Sequence, residues 1–102
     1  VTRAAVLEWL ARRHPAPPDS LRAHLATAVT DRAAALPDHL ALEGAALLAR
    51  VMGSPGSGRE RALDLLAADA FVTYAFEAQA EADVAGLTAL AARIDRQGVG
   101  AP

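Results

Sequence analysis

The 102-residue chain has the size of one small domain, with 53% apolar side chains, 22% charged side chains and a formal net charge of -2. That balance excludes intrinsic disorder and supplies no basic field for nucleic acid or an anionic membrane. The chain has no Cys and its ten basic residues are all Arg, which excludes disulfides, thiolate zinc sites, cysteine nucleophiles, Schiff-base lysines and the P-loop lysine.

Ala and Leu dominate and no stretch alternates with period two, so helices are expected throughout. Thr2 is a good N-cap for a first helix carrying Val6, Trp9, Leu10 and Arg13, which must stop before Pro15. Pro15, Pro17 and Pro18 form a stiff connector, and Pro18 with Asp19 suits the first turn of a second helix. Leu21, Leu25, Ala28, Val29 and Arg32 share its stripe, and it is expected to end near Leu36. Pro37 and Asp38 repeat the start signal for a third helix with Leu40, Gly44, Leu47, Leu48 and Val51 on one face. Gly53 is a natural residue to end that helix, and residues 53–58 form the clearest loop. A long fourth helix is expected over residues 59–81. Asp83 then caps a fifth, with Val84, Leu87, Leu90, Ala91 and Ile94 inward and Gly98 as its end. The domain is therefore read as residues 1–98, with 99–102 a frayed tail.

Several motifs are candidates for chemistry. Residues 53–60 match the glycine spacing of a P-loop, but Arg59 and Glu60 replace the Lys and hydroxyl residues that hold phosphate and magnesium. The loop therefore reads as a connector. His39 and Glu43 share a helix face at a spacing of four, which reads as a surface pair, and no metal is expected. Phe71, Tyr74 and Phe76 cluster on the fourth helix as the large pieces of an Ala-rich core. Residues 65–77 also resemble a helix of trans-isoprenyl diphosphate synthases. The paired Asp-Asp-x-x-Asp motifs of that family do not occur here, so no residue role is carried over.

The sharpest candidate is a placement. At about 100° per residue, Leu65, Val72 and Phe76 fall within about 60° of Asp69. Leu66, Ala62 and Thr73 lie on its other flank. Asp69 is thus expected in the middle of an apolar face, buried and paired with Arg32, or with Arg13 if the second helix ends early. Glu60, Arg61, Asp64 and Gln79 form the expected solvated face, and Leu42 and Phe71, on the far sides of their helices, are also candidates for an interface.

The fold expected is all-α, a single compact bundle of about five helices with a long central fourth helix. The leading function is a small non-enzymatic interaction module, self-associating or a subunit of a larger complex. The alternative is a small-molecule-binding protein or enzyme with a polar pocket formed by Asp69, Thr73 and Glu77, with Arg32 and Tyr74 beside them. No catalytic residue and no cofactor is assigned. A homo-oligomer or protein partner is expected, with no nucleic acid and no membrane span. With neither a long apolar run nor a signal peptide in view, a cytoplasmic location is expected.

Overall fold

Thr2 opens the first helix as its side chain predicts: its hydroxyl accepts a hydrogen bond from the Ala5 amide at 3.1 Å, and α1 runs from Arg3 to Ala11. The computed structural model describes residues 1–53, 56 and 58–97. Helix α2 (Asp19–Ala28) starts after Pro18, with Asp19 in its first turn. It ends well short of Leu36. Val29 is extended (φ -73°, ψ 132°), and the Thr30 amide is taken by the Glu43 carboxylate, so a side chain replaces the next helical hydrogen bond. Residues 29–35 are consequently an ordered connection that carries Arg32, instead of two further turns of helix.

Helix α3 (Leu36–Gly53) has Pro37 and Asp38 in its first turn, where the missing amide and the negative charge are tolerated. Gly53 is its last residue; the connector expected after it falls partly on Ser54, Pro55 and Ser57, outside the described residues. Helix α4 (Arg59–Ala82) is the longest element at 24 residues. Asp83 then caps a short 3-10 turn, Val84–Gly86, accepting from the Ala85 amide at 3.1 Å. The turn precedes α5 (Leu87–Arg96) and leaves Val84 67% exposed instead of inward. Ala91 is exposed as well, whereas Leu90 and Ile94 are buried as expected. The expected end at Gly98 and the tail of residues 99–102 lie outside the described residues. Among the described residues there is no strand, so the all-α bundle of five helices with a long fourth helix is the fold observed. Its radius of gyration, 13.1 Å, matches the ~13 Å of a folded chain near 100 residues.

Helices α3 and α4 form an antiparallel hairpin that makes the most extensive contact in the molecule. The contact is close because residue 44 has no side chain. A Cβ there would stand 3.1 Å from the Ala68 carbonyl oxygen, 3.1 Å from Val72 Cγ2 and 3.3 Å from Phe71 Cβ. The α4 face that meets α3 accordingly carries Ala67, Ala68, Ala75 and Ala78, with Phe71 as its one large side chain, fully buried. Leu40, Leu47, Leu90, Leu25, Val6 and Trp9 complete the core around it. Arg93 clamps α5 to the start of α3 through Asp38 at 2.7 Å.

Gly44→Val should therefore force the hairpin apart, at a cost of ~1–3 kcal/mol in urea denaturation. Gly44→Ala should cost less, because about 1 kcal/mol of helix propensity offsets its tight contacts. A Gly44→Val variant as stable as the parent would show that the close approach is not needed.

Candidate functional site

The five side chains expected to line a polar pocket are not brought together. Asp69, Thr73 and Glu77 lie on the exposed side of α4. Arg32, on the connection between α2 and α3, donates to Glu43 at 2.8 Å from Nη2 and 3.0 Å from Nε. Tyr74 is half-buried on another flank of α4, edge-on to Trp9 with ring centroids 5.9 Å apart. The expected burial of Asp69 and its pairing with Arg32 or Arg13 are both corrected: Arg13 pairs with Glu81 at 2.8 Å. The reason is the rotation of α4. Weighting its large apolar residues turns Leu65, Leu66 and Phe76 inward, whereas the close contact with α3 selects the alanines and Phe71. Phe71, read both as a large piece of the core and as an interface residue, is in the core, and Asp64, expected in solvent, is buried. Leu42 is half-buried.

Among the described residues, Glu43, Asp64 and Glu81 each draw in at least two polar side chains. Glu43 is only 2% exposed, and its oxygens accept from the Thr30 amide at 2.5 Å, from the Thr30 hydroxyl at 3.3 Å and from Arg32. His39, expected at the surface, is fully buried beside it. Its Nε2 donates to the Thr30 carbonyl at 2.8 Å and stands 3.5 Å from Glu43 Oε2, while Nδ1 has no partner. The outer side of the same connection is held by the Val1 amino group, which donates to the carbonyls of Arg32 and Ala34, and by the Arg3 amide on Asp31.

Asp64 is the second centre. His24 Nε2 donates to its Oδ1 at 2.6 Å and Arg50 Nη2 to the same oxygen at 2.8 Å, joining α2, α3 and α4. Burial raises the Asp64 pKa, but the hydrogen bonds and charges of Arg50 and His24 outweigh it and hold the carboxyl below its ordinary value. The nearby Glu60 brings the ligand atoms of His24, Glu60 and Asp64 within 4.8 Å of one another. These are the residues that could hold a cation, although Arg50 and the His24 Nε2 already share Asp64 Oδ1.

Glu81 is the third centre. Trp9 Nε1 and Arg13 Nη1 donate to its two oxygens at 2.9 and 2.8 Å, and the Arg13 guanidinium lies 3.7 Å from the Trp9 ring centroid. Those two hydrogen bonds lower the Glu81 pKa, and they dock α1 on the C-terminal half of α4. Burial, with Glu77 adding its negative charge, raises the Tyr74 pKa on the same flank. Between α1 and α2 lies a shallow apolar cleft of Leu7, Leu10, Ala11, Pro17, Leu25 and Ala26 with Arg22 among its walls.

Among the described residues, no other element covers one side of α4. Ala62, Leu65, Leu66, Asp69, Thr73, Glu77 and Ala80 are all exposed along it, with Phe76 half-buried at its edge. Leu65 and Leu66 are 43% and 50% exposed. Sequence reasoning misses the buried roles of Glu43, His39 and Asp64. The spacing of four between His39 and Glu43 is legible, but only packing shows which way the pair faces. No family model, curated protein or solved structure matches this chain.

Two outcomes test the polar centres. Glu43→Ala strands Arg32 and the Thr30 amide and should cost ~3–5 kcal/mol, whereas Glu43→Leu with Arg32→Met should recover much of it. Strictly additive losses in urea would remove the coupling. For Asp64, a folded pKa below the ordinary 3.8 means stability that is fully present above that value. That stability is lost as pH falls through the lower folded value. Asp64→Asn should therefore flatten the acid limb of the stability profile below pH ~4; an unchanged limb would show that the pairing stores no stability.

Proposed function

We propose that this protein is a non-catalytic helical interaction module that self-associates through the uncovered side of α4. The observation that carries the reading is the exposure of Leu65 and Leu66, at 43% and 50%, on a helix whose inward face is already filled. Helix α4 places apolar residues on opposite sides, and one domain can bury only one of them. At 1.5 Å per residue its 24 residues span ~36 Å, nearly the full 39 Å length of the molecule. The open strip is therefore long enough to receive a second helix along most of its length. Leu65 and Leu66 are adjacent on it, with Ala62 and Phe76 nearby and Asp69, Thr73 and Glu77 among them, and exposed apolar side chains clustered among polar groups suit a contact surface. The other strongly exposed apolar residues, Met52 and Val84, lie on different elements and need no partner to explain them.

No helix among the described residues is long and apolar enough to cross a membrane, so the strip is not accounted for by a spanning segment. Glu43, His39, Asp64 and His24 are engaged in holding elements together, which supports the non-catalytic reading. Light scattering during size exclusion at micromolar concentration should give a mass of twice 10.5 kDa. Leu66→Glu should return it to a monomer with unchanged helical circular dichroism. A monomer of the parent chain at every concentration would overturn the reading.

A further inference from the structure

We infer that the surface on α4 receives the α4 of a second copy in antiparallel alignment, with a two-fold axis at the level of residue 71. This rests on self-association through α4 and adds the orientation and register of the partner. The uncovered strip contains Arg59, Ala62, Leu66, Asp69, Thr73 and Ala80, with Phe76 half-buried at its edge and partly packed on the core, and Asp83 continues it at the end of the helix. Successive intervals along that strip alternate between three and four residues, the spacing that keeps a seam facing a partner helix in a left-handed coiled coil. Helix α1 packs on one flank through Trp9, and the turn after α4 meets Gln79 on the other, so the strip between them is left free.

Turning a second copy about that axis sets each seam residue against a complementary one. Leu66 meets the Phe76 of the second copy, which gives two large apolar contacts by symmetry. Ala62 meets Ala80, and these small side chains let the backbones approach. Asp69 meets Thr73, whose hydroxyl donates to the carboxylate. Such a polar layer in an apolar seam fixes register. Arg59 at one end meets Asp83 at the other. One Asp83 oxygen caps the Ala85 amide, and the second carries no bond among the described residues, so it is available to the guanidinium.

Competing alignments fail on charge. Parallel pairing stacks Arg59 on Arg59, Asp69 on Asp69 and Asp83 on Asp83, three layers of like charge. Sliding the antiparallel pair by one heptad sets Leu66 against Asp69 or Asp83 and forfeits its contact with Phe76. The proposed register alone combines matched charges with matched apolar layers.

The absence of Cys makes introduced cysteines unique reporters. After mild oxidation, Ala62→Cys chains mixed with Ala80→Cys chains should give a cross-linked dimer, and neither variant alone should. Charge exchange supplies a second measurement that needs no cross-link. Arg59→Asp and Asp83→Arg should each weaken self-association about tenfold, through two symmetry-related ion pairs. Their equimolar mixture should form heterodimers of parent affinity, because both ends of that dimer are again complementary. Cross-linking by Ala62→Cys alone would overturn the antiparallel arrangement. A parent dimer broken by Leu66→Glu, with neither the mixed cross-link nor charge rescue, would overturn this register and leave the self-association standing. A monomeric parent chain would overturn both.

Discussion

The distance between α3 and α4 is set by one missing side chain. Gly44 lets the Ala68 carbonyl and the Phe71 Cβ come within the space a Cβ would occupy, and the rotation of α4 follows from that approach. Small residues suit so close a contact, and the buried face of the longest helix carries four alanines with Phe71 inserted among them. Dispersion and apolar burial in a core depend on close packing as well as on side-chain size. Here many small residues at short distance take the place of a few large ones. Leu65 and Leu66 are displaced to the opposite side as a geometric consequence.

The remaining elements are fastened to this hairpin by single carboxylates. Glu81 takes α1 through Trp9 and Arg13, Asp64 takes α2 through His24, Glu43 takes the connection before α3, and Asp38 takes α5 through Arg93. In a chain without Lys, each such pair relies on the directional donors of Arg, Trp or His, which fix orientation as well as distance. Apolar burial sets how tightly the small helices pack, and these pairs define where each one sits. The arrangement also commits the buried ionisable groups among the described residues to structure, and the uncovered side of α4 takes part in none of these pairings.

Much of the fold is legible in the residues. Thr2, Pro18, Pro37 and Asp83 mark the beginnings of segments, because caps and prolines act through local backbone geometry that no distant contact needs to supply. The end of α2 is not legible. It depends on Glu43, thirteen residues on from Thr30, reaching back to take an amide that would otherwise have continued the helix. The candidate site is legible only in kind: the sequence points to a carboxylate gripped by Arg32 inside the domain, and that carboxylate is Glu43 and not Asp69.

What the sequence determines by itself is the class and the count of elements, since composition, helix propensity and punctuation are properties of neighbouring residues. Which way each helix turns is decided only by the tertiary structure. On α4 the apolar residues surround the whole circumference, so periodicity cannot choose a face. The choice is made by the partner helix, through a glycine fifteen residues before α4 begins. The same choice buries Asp64 and Phe71 and leaves Asp69, Leu65 and Leu66 in solvent, because rotating a helix to suit one contact moves every side chain it carries.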